Sequence, residues 1–450
     1  MQKIGMVSLG CPKNQIDAEV MLKKLKDAGF EITPVESEAD AIIVNTCGFI
    51  ESAKQEAIEN ILEVSAYKTD GNLKALIVTG CLAERYRDEI KEQMPEVDTV
   101  VGLAGNNDIV DIVKKALCGD GENVYGKKED LVIEGDRMLT TPFYTAYIKI
   151  AEGCDNCCTY CAIPAIRGRY RSRYMQDILF EAGHLAESGV KELVVVAQDT
   201  TRYGKDLYGE PKLAQLLTNL CKIPGIEWIR VLYTYPDLIT DELLDVMSKE
   251  PKLLHYLDIP IQHCDREILR RMNRGGSREE LEALMGRIRA KIPDITLRTT
   301  LITGFPGETE RQFSELCEFV KAVRFDRLGC FAYSEEEGTA AAEFPDQIPM
   351  QQRVDRSEII MNDQLSITLQ KNEEKFGTVQ QVLVEGYDDY IKCWFGRSRA
   401  DAPDIDGKVF FKANGEISVG DLVYVLINDA IEYDLLGKQT ADYHESEEIK

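Results

Sequence analysis

Short apolar runs alternate with polar segments of helical length over most of this chain, and that alternation restricts the fold more than any other feature. Within residues 1–139 the runs fall at 4–9, 41–46, 75–79 and 97–101, with helix-favouring stretches such as 15–28 and 52–65 between them. Each crossover helix returns the chain to the same end of the next strand, so the pattern predicts an open parallel α/β sheet. Residues 140–375 repeat the alternation with runs at 146–150, 193–197, 228–233, 256–259, 296–301 and 327–333. Six such units fall short of a closed eight-stranded barrel and predict a partial (βα)6 TIM-like barrel. The stretch 351–375, polar along one side, predicts a connecting helix. From residue 376 the period changes. Short β-type runs at 379–384, 390–395, 408–412 and 422–427, punctuated by Gly and Asp, predict a small β-barrel. The fold class is therefore α/β with three expected domains, 1–139, 140–375 and 376–450, and the Gly-, Asp- and Lys-rich stretch 119–130 reads as a surface loop near the first boundary.

Three cysteines share one short loop, Gly153-Cys154-Asp155-Asn156-Cys157-Cys158-Thr159-Tyr160-Cys161. The spacing Cys154-x-x-x-Cys158-x-x-Cys161 supplies three thiolates. A four-iron cube held by three thiolates keeps one iron without a protein ligand, and that iron can bind a small molecule. Cys157 fits neither interval and reads as a non-ligand. A zinc loop or plain buried thiols are the competing readings of the same residues.

A second set, Cys11, Cys47 and Cys81, is dispersed in sequence but uniform in position, since each follows an expected parallel strand. The carboxyl ends of such strands share one edge, where ligands bind in open α/β sheets. Three cysteines there can converge on one metal centre, whereas a single one would read as a small buried residue. Gly10, Gly48 and Gly80 flank them and permit close approach. Cys118, Cys221, Cys264, Cys317, Cys330 and Cys393 lie within helical or strand runs and read as structural.

The chain has 450 residues and a net charge of −25, from 53 Lys and Arg against 78 Asp and Glu. A general nucleic-acid binder carries the opposite balance, because phosphate contacts dominate its affinity. Residues 376–450 hold 7 Lys or Arg against 15 Asp or Glu, a net of −8. Such a barrel suits a basic protein partner, met through acids such as Asp401, Asp404 and Asp406, although a plain solvated acidic surface reads the same way. No apolar run approaches the roughly 18 residues that span a bilayer, and Met1-Gln2-Lys3-Ile4-Gly5 lacks signal-peptide architecture. Cytoplasmic localisation, no membrane partner and metal or redox use of the 13 cysteines are expected.

The loop spacing, with the aromatic Tyr160 before its last cysteine, resembles that of the radical S-adenosylmethionine (SAM) enzymes. Two separated three-cysteine sets followed by a β-barrel resemble, over essentially the whole chain, the methylthiotransferases of that superfamily. Ser8-Leu9-Gly10-Cys11-Pro12-Lys13-Asn14, Asp258-Ile259-Pro260-Ile261-Gln262-His263 and Gly396-Arg397-Ser398-Arg399-Ala400-Asp401-Ala402-Pro403-Asp404-Ile405-Asp406-Gly407 are similar to the branch that modifies a ribosomal protein, rather than the tRNA-modifying branch. The resemblance implies two 4Fe-4S clusters, a SAM-binding one on Cys154, Cys158 and Cys161 and an auxiliary one on Cys11, Cys47 and Cys81, with a substrate-recognising TRAM barrel at the end. It also implies reductive SAM cleavage, hydrogen abstraction from the β-carbon of an aspartate in a small-subunit ribosomal protein, and methylthio transfer, with an external electron donor and sulfur source. The sequence does not give the oligomeric state, and a monomer is the expectation. A tRNA adenosine methylthiotransferase is the alternative within the family. An iron–sulfur electron carrier or RNA-binding module is the alternative outside it.

A parallel barrel places its ligand at the carboxyl ends of its strands. Gln198 and Asp199, just after the run 193–197, and Thr303 at the head of Thr303-Gly304-Phe305-Pro306-Gly307-Glu308, are therefore expected SAM contacts beside Tyr160. An ordinary Gly/Pro turn is the other reading of the Thr303 segment. Arg167, Arg169, Arg171 and Arg173 form a local basic exception, open to SAM, a substrate carboxylate, ribosomal RNA or ion pairing with nearby acids. Of the four histidines, His184 and His444 read as surface residues and His263 falls in a candidate active-site loop. No general acid or base is assigned.

Overall fold

The computed structural model describes residues 1–131 and 134–441, so His444 lies outside the described residues. The chain divides into two compact units. The first comprises Met1–Leu185, Val194–Lys212 and Ser334–Glu343, and the second Ala186–Leu193, Leu213–Tyr333 and Phe344–Lys450.

The first unit opens with a five-stranded sheet in the order β2-β1-β3-β4-β5, formed by β1 (Lys3–Ser8), β2 (Glu31–Ile32), β3 (Ala41–Thr46), β4 (Ala75–Gly80) and β5 (Thr99–Val100). All its pairings are parallel. The chain Ala-Ile-Ile-Val of β3 and Ala-Leu-Ile-Val of β4 is buried throughout, because alternate residues serve opposite faces and both faces are covered. Ile42, Val44, Leu76 and Val78 pack with Ala57 and Ile61 of the helix Glu51–Ser65. Ile43 and Ile77 pack on the other face with Met21 and Leu25 of the helix Pro12–Asp27 and Ile112 and Val113 of the helix Ile109–Leu117. Each fully buried side chain of this size contributes roughly 1.5–3 kcal/mol.

The strands β6 (Thr145–Lys149) and β9 (Glu192–Val196) follow in the chain, and the second unit carries a parallel sheet of β10 (Trp228–Val231), β11 (Leu253–Asp258), β12 (Thr296–Thr303) and β13 (Arg327–Ala332). The short β7 (Ala151–Glu152) and β8 (Arg171–Ser172) pair antiparallel apart from it. Within the second unit β10 to β13 are neighbours, each parallel to the next. The helices between them begin at side-chain caps. Thr240 accepts the Leu243 amide, Ser277 the Glu280 amide, and Thr309 forms a capping box with Gln312. The helix Met350–Glu373 occupies the expected connector.

The chain ends in a closed barrel in the order β14-β15-β16-β18-β17, built from β14 (Val379–Asp388), β15 (Cys393–Ser398), β16 (Val409–Lys412), β17 (Leu422–Ile431) and β18 (Asp434–Thr440). Val382, Val384, Val409, Phe411, Val425, Ile427 and Leu435 fill it. Two details differ from the sequence reading. The run at 390–395 begins in a turn, where Asp388 accepts the Tyr390 and Ile391 amides, and Tyr390 is 95% exposed. The strand β18, with Gly437 and Lys438 at its centre, has no run of its own in that reading; it enters the barrel by pairing antiparallel with β17 and parallel with β16.

The barrel's acids also depart from expectation. Asp404 is exposed, but Asp401 is 1% exposed and bonds Arg327 at 2.5 Å, and Asp406 accepts from the Tyr256 hydroxyl at 2.6 Å. Asp401 and Asp406 thus answer buried cations and a buried phenol inside the second unit rather than facing a partner. No helix among the described residues is long and apolar enough to cross a membrane.

Candidate iron–sulfur sites

The strands β1, β3 and β4 end in register. Ser8 pairs with Asn45, and Thr46 with Gly80, so Cys47 and Cys81 follow adjacent paired residues. Two asparagines bring Cys11 to the same edge. Asn14, in the turn closed by its amide on the Cys11 carbonyl, donates through Nδ2 to Leu9, Asn45 and Thr46 carbonyls, and Asn45 Nδ2 donates back to the Asn14 carbonyl at 2.7 Å. The approach is tight. A Cβ on Gly10, whose φ is +89°, would lie 2.6 Å from Cys47 Cβ and 2.9 Å from its Sγ. One on Gly48 would lie 2.7 Å from the Leu82 Cα, beside Cys81. The three cysteines dispersed in sequence therefore meet at one edge.

Burial and nearby cations oppose one another at these thiols. Burial acts to raise the Cys11 thiol, but Lys13 and Arg167 outweigh it and hold it below its ordinary value. Burial raises the Cys47 thiol and pushes that of Cys81 up to about 12, with Arg167 opposing in both. Thiolates at these positions would repel one another, and the Arg167 cation opposes that repulsion.

The loop from Cys154 to Cys161 belongs to the same unit. The Cys154 amide donates to the Gly168 carbonyl at 3.1 Å, and the Cys161 amide to the Cys158 carbonyl at 3.0 Å. Cys154, Cys158 and Cys161 are half-buried, while Cys157 is exposed and bends the loop with a φ of +49°. Burial pushes the Cys154 thiol up to about 11. Gln198 and Asp199, at the carboxyl end of β9, brace this loop. Asp199 accepts from Asn156 Nδ2 at 2.9 Å, and Gln198 donates to Glu152 Oε1 at 2.8 Å. The segment Ser334–Glu343 reaches both cysteine loops, since Arg85 of the helix Cys81–Tyr86 bonds Glu336 at 2.8 Å and the Gly48 carbonyl at 3.0 Å, and the Ala341 amide donates to the Thr159 carbonyl at 2.9 Å.

Thr303 sits in the second unit at the carboxyl end of β12, fully buried, with its hydroxyl donating to the Arg353 carbonyl at 3.2 Å. Glu308 ties its loop by accepting the Gly304 amide at 2.8 Å, and burial raises that carboxyl to about 7 against the pull of Arg356. The basic run resolves largely into ion pairs and carbonyl contacts. Arg167 bonds Asp17 and Glu152, Arg173 bonds Glu181 at 2.6 Å, and Arg171 donates to the Lys128, Glu129 and Leu131 carbonyls. Arg169 alone of the four is exposed. Asp17, Lys149 and Glu152, which surround Arg167, carried no signal in the sequence beyond being charged residues in apolar surroundings. His184 is exposed and His263 is buried.

Among the described residues no group of three or more His, Cys, Asp or Glu is arranged to grip a single metal ion. The donor chemistry suits a larger group. Two sets of three sulfurs on short loops, one beside a buried guanidinium, match thiolate ligation of an iron–sulfur cube.

Three family models match the chain in series: the uncharacterized protein family UPF0004 at residues 3–102, the radical SAM superfamily at 148–320 and the TRAM domain at 376–439. The ribosomal protein uS12 methylthiotransferase RimO of Pelotomaculum thermopropionicum is 52% identical over 97% of this chain and 99% of its own. That of Desulforamulus reducens is 49% identical over the same shares. Among solved structures, the radical SAM methyltransferase TsrM of Kitasatospora setae shares the fold at 14% identity with a TM-score of 0.54, covering 85% of this chain and 77% of that one. With relatives this similar along nearly its whole length, the chain belongs to the RimO family of ribosomal protein uS12 methylthiotransferases.

Proposed function

We propose that this protein is a radical SAM methylthiotransferase that places a methylthio group on the β-carbon of an aspartate in the ribosomal protein uS12. The observation that carries the reading is the presence of two three-cysteine sets in one compact unit of a chain about half identical to RimO enzymes throughout. The segments divide the work, with residues 1–139 for the auxiliary cluster, 140–375 for SAM and 376–450 for the substrate. Cys154, Cys158 and Cys161 would hold the SAM-binding 4Fe-4S cluster, and Cys11, Cys47 and Cys81 the auxiliary one. When bound, these clusters and SAM supply the radical and sulfur chemistry, fed by an external electron donor and sulfur source.

The chain's own residues position and shield. Tyr160, Gln198, Asp199 and Thr303 would contact SAM. Asp199 and Gln198 also fix the loop that carries the three thiols, through Asn156 and Glu152. The glycine at position 10 lets the Cys11 and Cys47 backbones close on one another, and the buried setting of Cys81 and half-buried settings of the other ligand cysteines limit water at the sulfurs. A monomer working in the cytoplasm completes the reading.

Anaerobic reconstitution tests it. About eight irons per chain are expected, falling by about half when Cys154, Cys158 and Cys161 are all replaced by Ala. Incubation with SAM, reductant and a sulfur source should add a methylthio group to uS12 in mass spectra. Modification of tRNA instead would move the assignment to the tRNA-modifying branch, and cluster uptake without SAM cleavage would leave an electron carrier.

A further inference from the structure

We propose that Arg167, which follows the SAM loop in sequence, is a positioning residue for the other cysteine set, its guanidinium donating to the Cys81 sulfur and raising the reduction potential of a cluster held there. The inference rests on the assignment of Cys11, Cys47 and Cys81 as cluster ligands.

Arg167 ends the short helix Ile163–Arg167 and is 1% exposed. Its place is built from several elements. Nη1 donates to Asp17 Oδ2 at 3.0 Å and Glu152 Oε2 at 2.9 Å, and Nη2 reaches Asn14 Oδ1 at 3.4 Å. Lys149 Nζ completes the group, 2.5 Å from Asp17 and 2.9 Å from Glu152. Two cations and two carboxylates cancel at a distance, but not at contact range. The carboxylates take the Nη1 edge of the fork, and Asn14 takes one N–H of Nη2. A guanidinium has five N–H donors in a fixed plane, so two remain. Asn14, which Nη2 reaches, closes the turn at Cys11 through its own amide, so the guanidinium lies at the edge where this cysteine set stands. Cys81 packs with Ile166 of the same helix, the residue before Arg167, and with Ala162 just ahead of that helix.

A donor to a cluster sulfur stabilises the more negative, reduced state and so raises the potential. Burial strengthens the effect, because little water screens it. The backbone just beyond Arg167 serves the other loop, since the Gly168 carbonyl accepts the Cys154 amide. Sequence adjacency therefore points to one cluster and side-chain direction to the other, and that difference can be measured.

Arg167→Met, Arg167→Lys and, as a control, Lys149→Met are made in the full chain and reconstituted anaerobically. Each cluster is titrated by EPR-monitored reduction, the auxiliary one also by itself in a background with Cys154, Cys158 and Cys161 replaced by Ala. In Arg167→Met the auxiliary midpoint should fall enough to lower the reduced-to-oxidised ratio at fixed potential about tenfold, which is 59 mV for one electron. Arg167→Lys should restore part of it, Lys149→Met should shift it less, and the SAM-loop cluster should stay at the wild-type midpoint. An auxiliary midpoint unchanged in an Arg167 variant with full iron overturns the inference, as does an equal shift of both clusters. If Arg167→Met takes up no iron, Arg167→Lys decides by the same criterion. A wild-type chain that binds only one cluster overturns the ligand assignment itself, which the iron count reports separately.

Discussion

Gly10 and Cys157 both have positive φ, at +89° and +49°, yet they stand in different relations to the cysteines around them. A Cβ on Gly10 collides with Cys47, whereas the Cys157 side chain is exposed. Gly10→Ala should therefore lose about half of the reconstituted iron and keep SAM cleavage, while Cys157→Ala keeps all of the iron; iron and sulfide assays with 5′-deoxyadenosine quantification check both. His263 carries a different kind of consequence. Its Nδ1 accepts the Asp265 amide at 2.9 Å, which places the ring proton on Nε2 and favours the neutral form. Burial pushes its pKa down to about 4, with Asp265 opposing and Arg356 assisting. Between that value and the unfolded one near 6.5, the unfolded chain binds a proton that the folded chain refuses, so stability falls as pH drops through this window. The contribution lost is at most about 3 kcal/mol. Thermal midpoints measured from about pH 7 down to about pH 4 should fall more steeply for the wild type than for His263→Gln, whose amide oxygen can still accept the Asp265 amide. Equal slopes would show that His263 does not titrate on unfolding.

The strand β15 illustrates how an element depends on charge as well as on apolar packing. Arg397 is 2% exposed and bonds Glu192 Oε2 at 2.5 Å and Glu385 Oε1 at 2.7 Å, while Arg230 bonds Glu192 Oε1 at 3.0 Å. Burial disfavours the Glu192 carboxylate, but Arg397 and Arg230 hold it down at about 2. Removing one partner of such a buried group costs about 3–5 kcal/mol, because the remaining charge stays desolvated. Arg397→Ala should lower the denaturation midpoint accordingly, and an unchanged midpoint would mean that water reaches Glu192. At this scale the sequence was legible wherever the signal was local. Apolar runs marked β3 and β4. It was not legible at β18 or at the start of β15, because a barrel selects its strands by the hydrogen bonds its neighbours leave open, and that selection carries little residue preference.

For the whole molecule, the charge of −25 is a property of the sequence, but its usable surface is not. Asp401 and Asp406 are consumed inside the second unit, so reversing them would test folding rather than docking. Asp389, Glu416 and Glu432 are exposed. Changing these three to Lys in the full chain should slow association with basic uS12 by roughly three- to tenfold at low salt and flatten its salt dependence, as stopped-flow fluorescence would report. A rate that ignores both salt and reversal would remove the electrostatic account. The cysteine spacing of the SAM loop, the strand–helix alternation and the placement of Cys11, Cys47 and Cys81 after strands are all short-range patterns, each confined to one loop or one strand–helix unit, and the sequence alone determined them. The meeting of those last three cysteines at one sheet edge, the burial of Asp401 and the setting of Arg167 among Asp17, Glu152 and Asn14 were decided by tertiary structure. Arg167 meets Asp17 across 150 positions, and Arg397 meets Glu192 across 205. No local pattern encodes such a pair, because the free energy of a buried charge depends on which distant partner the fold delivers to it.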